Sequence, residues 1–174
     1  MGFFIWLEQT GFAQWVHESE SVFAFPTFLT AHVTGMGVLV GLATVINLRL
    51  LGCIPRVPLT PMATFFPVMW YAFYANVVTG AALFASDATA KVQTLDFYIK
   101  LVLVALGMLS LVAIRSEVFR SPAVDKVPVS SKGKTLAVIS LILWAGAITA
   151  ARLIAYLAPR HHAAFLFQRL GSLL

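Results

Sequence analysis

Four apolar runs constrain this chain more than any other feature, because each is long enough to cross about 30 Å of hydrocarbon as a helix. They occupy residues 23–46, 63–85, 97–114 and 136–157. A transmembrane β-barrel would instead show alternating segments of about 10 residues, and no such alternation is present. Composition points the same way. The chain is 60% hydrophobic and 11% charged, against about 45–50% and about 25% in soluble domains. The expected fold is all-α: one integral membrane domain over 1–174, built as a four-transmembrane-helix bundle.

The segment before the first run, MGFFIWLEQTGFAQWVHESES, has neither the basic n-region nor the small-residue cleavage site of a signal peptide. Trp6 stands where a myristoylation signal has Ser or Thr. Phe4, Leu7, Phe12, Trp15 and Val16 fall roughly on one helical face, with Glu8, Gln14 and Glu18 off it. Residues 1–21 are therefore expected to form an amphipathic interfacial helix with Trp6 and Trp15 at headgroup level. The tail, 158–174, carries a shorter stretch of the same kind, AAFLFQRLGSLL.

Several function classes drop out. Cys53 is the only cysteine, so there is no intrachain disulfide, CxxC pair or c-type haem attachment motif. The net charge of +5 sits mainly in loops beside the spans, where it serves topology, and nucleic acid is not an expected partner. No phosphate-cradling loop, zinc-protease motif or Ser/His/Asp set is present. The adjacent His161 and His162 point in different directions on a helix and make a poor metal site. With no catalytic set of its own, the chain reads as a subunit rather than an enzyme.

Basic residues orient the bundle. The loops after the first and third runs hold Arg49, Arg56, Arg115, Arg120, Lys126, Lys132 and Lys134, which is seven. The other side holds Lys91, Lys100, Arg152, Arg160 and Arg169, which is five, beside an acidic N-terminus. Both termini are accordingly expected outside and the two basic loops in the cytoplasm, with the lipid bilayer as a partner.

Orientation converts position into depth at about 1.5 Å per residue. His32 lies roughly 9 Å into the first helix from Pro26, and Thr79 and Asn76 lie about 9 and 13 Å from the outer end of the second. Lys100 is in the first turn of the third helix, and Arg152 roughly 7 Å before the end of the fourth. Four helices thus bring polar side chains to one depth. His32 is the focus, because an ionisable group inside an apolar span marks a functional site by default. Met36 shares its face one turn on. His32, Lys100, Arg152, Asn76, Thr79 and Met36 form the candidate cofactor-binding set, with His32 the candidate metal ligand. The bland alternatives are that Lys100 and Arg152 snorkel outward and that Asn76, Thr79 and His32 bond across helices or to backbone. Ala31, Gly35 and Gly37 to Gly41 give small-residue spacings suited to close packing on another side of the first helix.

The order of motifs, Phe25-Pro26, HVTG at His32 to Gly35 and NLRLLG at Asn47 to Gly52, resembles a family of uncharacterised bacterial four-helix integral membrane proteins. FYANVVTGAALFASDATAK, FYIKLVLVALG and SLILWAGAITAARLIAY are similar to that family's later helices. It is also distantly similar, at the level of fold, to the membrane domain of copper-resistance protein D and to b-type cytochrome bundles. Two carboxylates frequent in the family are replaced here, by Leu29 and Asn47, and any proton or metal role they carry does not transfer.

Two functions stay open. One is a membrane subunit of redox or electron-transfer chemistry, with His32 ligating a b-type haem or contacting a quinone near the outer face. Lys100 and Arg152 would then neutralise propionates or a polar head. Bis-histidine ligation lacks a second buried His, and Met36 on the same helix face cannot reach across a haem plane; His17 or another subunit would have to supply the partner. The other is a non-catalytic anchoring or assembly subunit packed against other membrane proteins or copies of itself. A transporter or copper-handling role fits least, since no buried acidic pair or broken helix is present.

Overall fold

The computed structural model describes residues 2–18, 24–120, 124–125 and 127–157. Among these residues all the regular structure is helical, with no strand. Two short helices, α1 (Gly2–Glu8) and α2 (Gly11–Glu18), precede the long α3 (Phe25–Leu51). A 3-10 turn (Thr60–Thr64) leads into α4 (Phe65–Ala85), and the short α5 (Ala88–Lys91) leads into α6 (Leu95–Val118). The last described element is α7 (Ser131–Leu157). Four helices, α3, α4 with its leading turn, α6 and α7, are long and apolar enough to cross a membrane.

The long helices begin or end further into the basic loops than the apolar runs do. A hydropathy reading stops at the first polar residue, whereas Asn47 and Arg49 continue α3 until Gly52 ends it. Gly52 takes the left-handed conformation, φ 87°, and the amides of Gly52 and Cys53 return to the carbonyls of Arg49 and Leu48 at 3.1 and 3.0 Å. Glycine is the residue that adopts this backbone without strain. The N-terminal segment differs too, forming two helices rather than one. Thr10 breaks it by donating to the Leu7 carbonyl at 2.7 Å and accepting from the Ala13 amide at 3.4 Å, a local competition typical of threonine.

The helices run up and down. α3 packs on α4 and on α7, and α6 packs on α7. The fourth seam, between α4 and α6, is bridged by aromatic pairs near its two ends, Phe66 with Phe119 (5.1 Å between ring centroids) and Phe84 with Phe97 (5.3 Å, stacked). The packed core lies toward the end carrying the α3–α4 and α6–α7 connections. It includes Leu39, Ile46, Leu50, Met62, Phe66, Met69, Ile114 and Trp144. The exterior is apolar: Tyr71, Val78, Leu109 and Ile142 are exposed.

Two polar devices set geometry at the core end. Asn47, fully buried, donates through Nδ2 to Ser140 Oγ of α7 at 3.0 Å. Asp125 accepts from the amides of Leu59 and Thr60 at 2.5 and 3.0 Å, and from the Thr60 hydroxyl. It thereby caps the turn that starts the α4 span from the connection between α6 and α7. Those hydrogen bonds, first the Thr60 hydroxyl and then the Leu59 amide, hold its carboxyl below the usual carboxylate range. A lowered folded-state value means the stabilisation is full above the unfolded value, about 3.9, and is lost as pH falls through the folded value. Asp125→Ala should therefore lower the melting temperature at neutral pH. The gap to the unsubstituted protein should close progressively below about pH 4, as read from melting curves taken across that range.

α1, α2 and α5 lie at the other end, here termed the cap end. Glu8 Oε1 accepts from both the amide and the hydroxyl of Thr89, each at 2.7 Å, which fastens α1 to α5. Phe4 meets Phe84 edge-on at 6.3 Å and Phe12 meets Phe28 at 6.0 Å, while Ala13 and Val16 are buried.

Candidate functional site

Just below the cap the helices part. A cavity of about 770 Å³ opens between α3, α4 and α6. α3 contributes Phe25, Leu29, His32, Met36 and Leu39, a stripe at alternating spacings of four and three residues, which lie on one helical face. α4 contributes Phe73, Asn76, Val77, Gly80 and Phe84 among others. From α6 come Phe97, Lys100, Leu101, Val104 and Ala105, from the connection between α4 and α6 come Lys91 and Thr94, and among its described residues α7 adds Ala151. Val77 and Leu101 line it while 51% and 50% exposed, so the cavity reaches the lateral surface along the α4–α6 seam.

Two glycines make room for its polar groups. A Cβ on Gly35 would stand 2.6 Å from Asn76 Nδ2, and one on Gly80 would stand 3.0 Å from His32 Cε1. Gly35 thus admits the Asn76 amide against α3, and Gly80 admits the His32 ring against α4. Gly37 and Gly41 meet nothing within 4 Å. Close packing of α3 therefore rests on Gly35 rather than on the Gly37–Gly41 spacing.

His32 Nδ1 lies 3.0 Å from Thr79 Oγ1. The single hydroxyl proton of Thr79 goes to the Ala75 carbonyl at 2.7 Å, so donor bookkeeping assigns the proton between the pair to His32 Nδ1. In that tautomer Nε2 of the neutral ring is an acceptor, and it makes no hydrogen bond to a described side chain. Asn76 is similarly oriented by its donor end, Nδ2 to the Ala72 carbonyl at 2.9 Å, leaving Oδ1 buried without a partner.

Of the six candidate residues, His32, Asn76, Met36 and Lys100 line the cavity, and Thr79 stands behind His32 as its hydrogen-bond acceptor. Arg152 is exposed and does not line it; its neighbour Ala151 takes that place. The His17 side chain and the whole of 158–174, with His161 and His162, fall outside the described residues. No cluster of three metal-binding side chains occurs among the described residues.

Lys91 was not singled out by sequence. It belongs to α5, which folds back beneath the cap, and its ammonium donates to the Leu83 carbonyl. Burial pushes it below the usual lysine range and nearby Lys100 adds to this, while Asp87 and Glu8 oppose it. Its signal in the sequence was only a lysine in a short outer connection, which hydropathy alone assigns to solvent.

Searches of protein families, of curated proteins and of solved structures return no match to this chain.

Proposed function

We propose that this chain is a multi-pass protein of a bacterial inner membrane that holds an amphiphilic redox ligand, a b-type haem or a quinone, in the cavity between α3, α4 and α6. The cavity itself carries this reading: one volume of about 770 Å³ brings a histidine and two lysines into an apolar, aromatic lining. Ligand sites are commonly about 300–1,000 Å³, mostly apolar, with a few placed polar groups. His32 would hold the iron of a haem, with its Nδ1 oriented by Thr79 as such ligands usually are. Lys91 and Lys100 would face its propionates. A quinone would place its ring among Phe73, Phe84 and Phe97, its head near His32 and Lys100, and its tail out past Val77 and Leu101. Either group supplies electron-transfer chemistry; the chain supplies binding and orientation.

The apolar exterior and the four long helices support insertion in a bilayer. The excess of Lys and Arg at the core end supports a cytoplasmic assignment for that end and an outer assignment for the cap. A second reading, an anchoring or assembly subunit, draws on the open face at Gly37 and Gly41, where no described residue packs and another helix can approach closely.

Protein purified in mild detergent is expected to show a reduced α-band or to release a quinone on solvent extraction, near one per chain. Absence of both, with a second protein seen in the native mass, would favour the anchoring role.

A further inference from the structure

We infer that the cavity is built for the reduced, hydroxyl-bearing form of a quinone-type ring, a hydroquinone with an apolar tail, in preference to the oxidised dicarbonyl form. This rests on the ligand-holding reading above and narrows it. The polar atoms around the cavity are already partly committed. On the α3–α4 wall, Thr79 binds the proton of His32 Nδ1 because its own proton is engaged by Ala75. The free ring atom is therefore Nε2, an acceptor. The other polar side chain of that wall, Asn76, has its donors turned to Ala72 and its unpartnered atom is also an acceptor, Oδ1. On the α6 wall stands Lys100, a donor that makes no hydrogen bond or ion pair with any described residue.

A dicarbonyl ring satisfies only half of this arrangement. Its oxygen accepts from Lys100, but it has no proton for His32 Nε2, and two lone pairs face one another. A hydroquinone oxygen accepts from Lys100 while a ring hydroxyl donates to Nε2, so both walls are used. A site built to bond a hydroxyl discriminates against the analogue lacking it because its own polar atom is left unpaired. The lateral opening past Val77 and Leu101 provides an exit for the tail. Thr79 is a positioning residue here. It touches His32 rather than the ring, and its acceptor oxygen selects the tautomer.

The experiment uses the full chain in detergent under anaerobic conditions, with a decyl-substituted benzohydroquinone and the matching benzoquinone as probes in equilibrium dialysis. The hydroquinone is expected to bind about tenfold more tightly, the value of one further hydrogen bond. Thr79→Val frees the ring to adopt the other tautomer, and the ratio should fall to about one or invert, whereas Thr79→Ser should retain it. A residue that merely supports the fold would weaken both probes together and leave their ratio unchanged. Equal binding of the two forms, tighter binding of the quinone, or an unchanged ratio in Thr79→Val overturns the inference while leaving a quinone-binding cavity in place. A haem α-band from the purified protein overturns it in favour of the haem version. If neither probe binds and no haem is present, the ligand-holding reading fails as well.

Discussion

Replacing Trp144 by alanine is expected to destabilise the protein by about 3–5 kcal/mol, the range for truncating a buried tryptophan. Trp144 is 1% exposed and lies against Gly107 of α6, where an added Cβ would approach its ring to 2.9 Å. Its indole N–H has no partner, so the loss is one of packing and no hydrogen bond is broken. Gly107→Leu alone should cost about 1–3 kcal/mol by overpacking, because a fully buried indole has little room to move. Combined with Trp144→Ala, the leucine enters the space the ring vacated, and the double variant should be more stable than the sum of the two losses. Such coupling is the mark of groups sharing one volume. Unfolding free energies in mixed detergent micelles, measured for the four members of the cycle, provide the check. Simple additivity would mean that α6 and α7 do not meet through this pair.

The second large effect concerns the ligand proposed for the cavity. His32→Ala should weaken retention of whatever the cavity holds by about 10–100-fold, the loss of one strong polar contact of about 1.5–3 kcal/mol. Gly80→Val should do the same with the histidine intact. A Cβ there already stands 3.0 Å from His32 Cε1, and the branched side chain would push the ring away from Thr79. Ligand content per chain after identical purification reads both effects, and melting curves separate them from unfolding. Full ligand content in His32→Ala would remove His32 from the site. The two variants test different links, one the chemistry of the imidazole and the other its placement.

Much of this site is written in the sequence, but only along the helix axis. His32, Asn76, Thr79 and Lys100 can be placed at a common depth from helix ends and rise per residue, and four of the six candidates do line one cavity. Arg152 shows what depth leaves open, since it lies at the right level and still points outward. Lys91 shows the converse. Nothing in a short connection reveals that α5 turns back and brings its lysine to the Leu83 carbonyl. The interfacial segment was legible as apolar and helical, and its division at Thr10 depended on two local hydrogen bonds.

The sequence by itself therefore determined the number of long helices, their approximate ends, the all-α class and the level at which polar groups collect. Hydrophobic length and charge position are properties of each segment alone. Tertiary structure decided how each helix is rotated, that the α4–α6 seam opens rather than closes, and that His32 lines the cavity. The physical reason is that these helices are apolar nearly all round, so hydrophobic pattern carries little information about facing. Facing is set by contacts between helices, where the absent side chains of Gly35 and Gly80 admit Asn76 and His32 and the Thr79 hydroxyl meets His32 Nδ1.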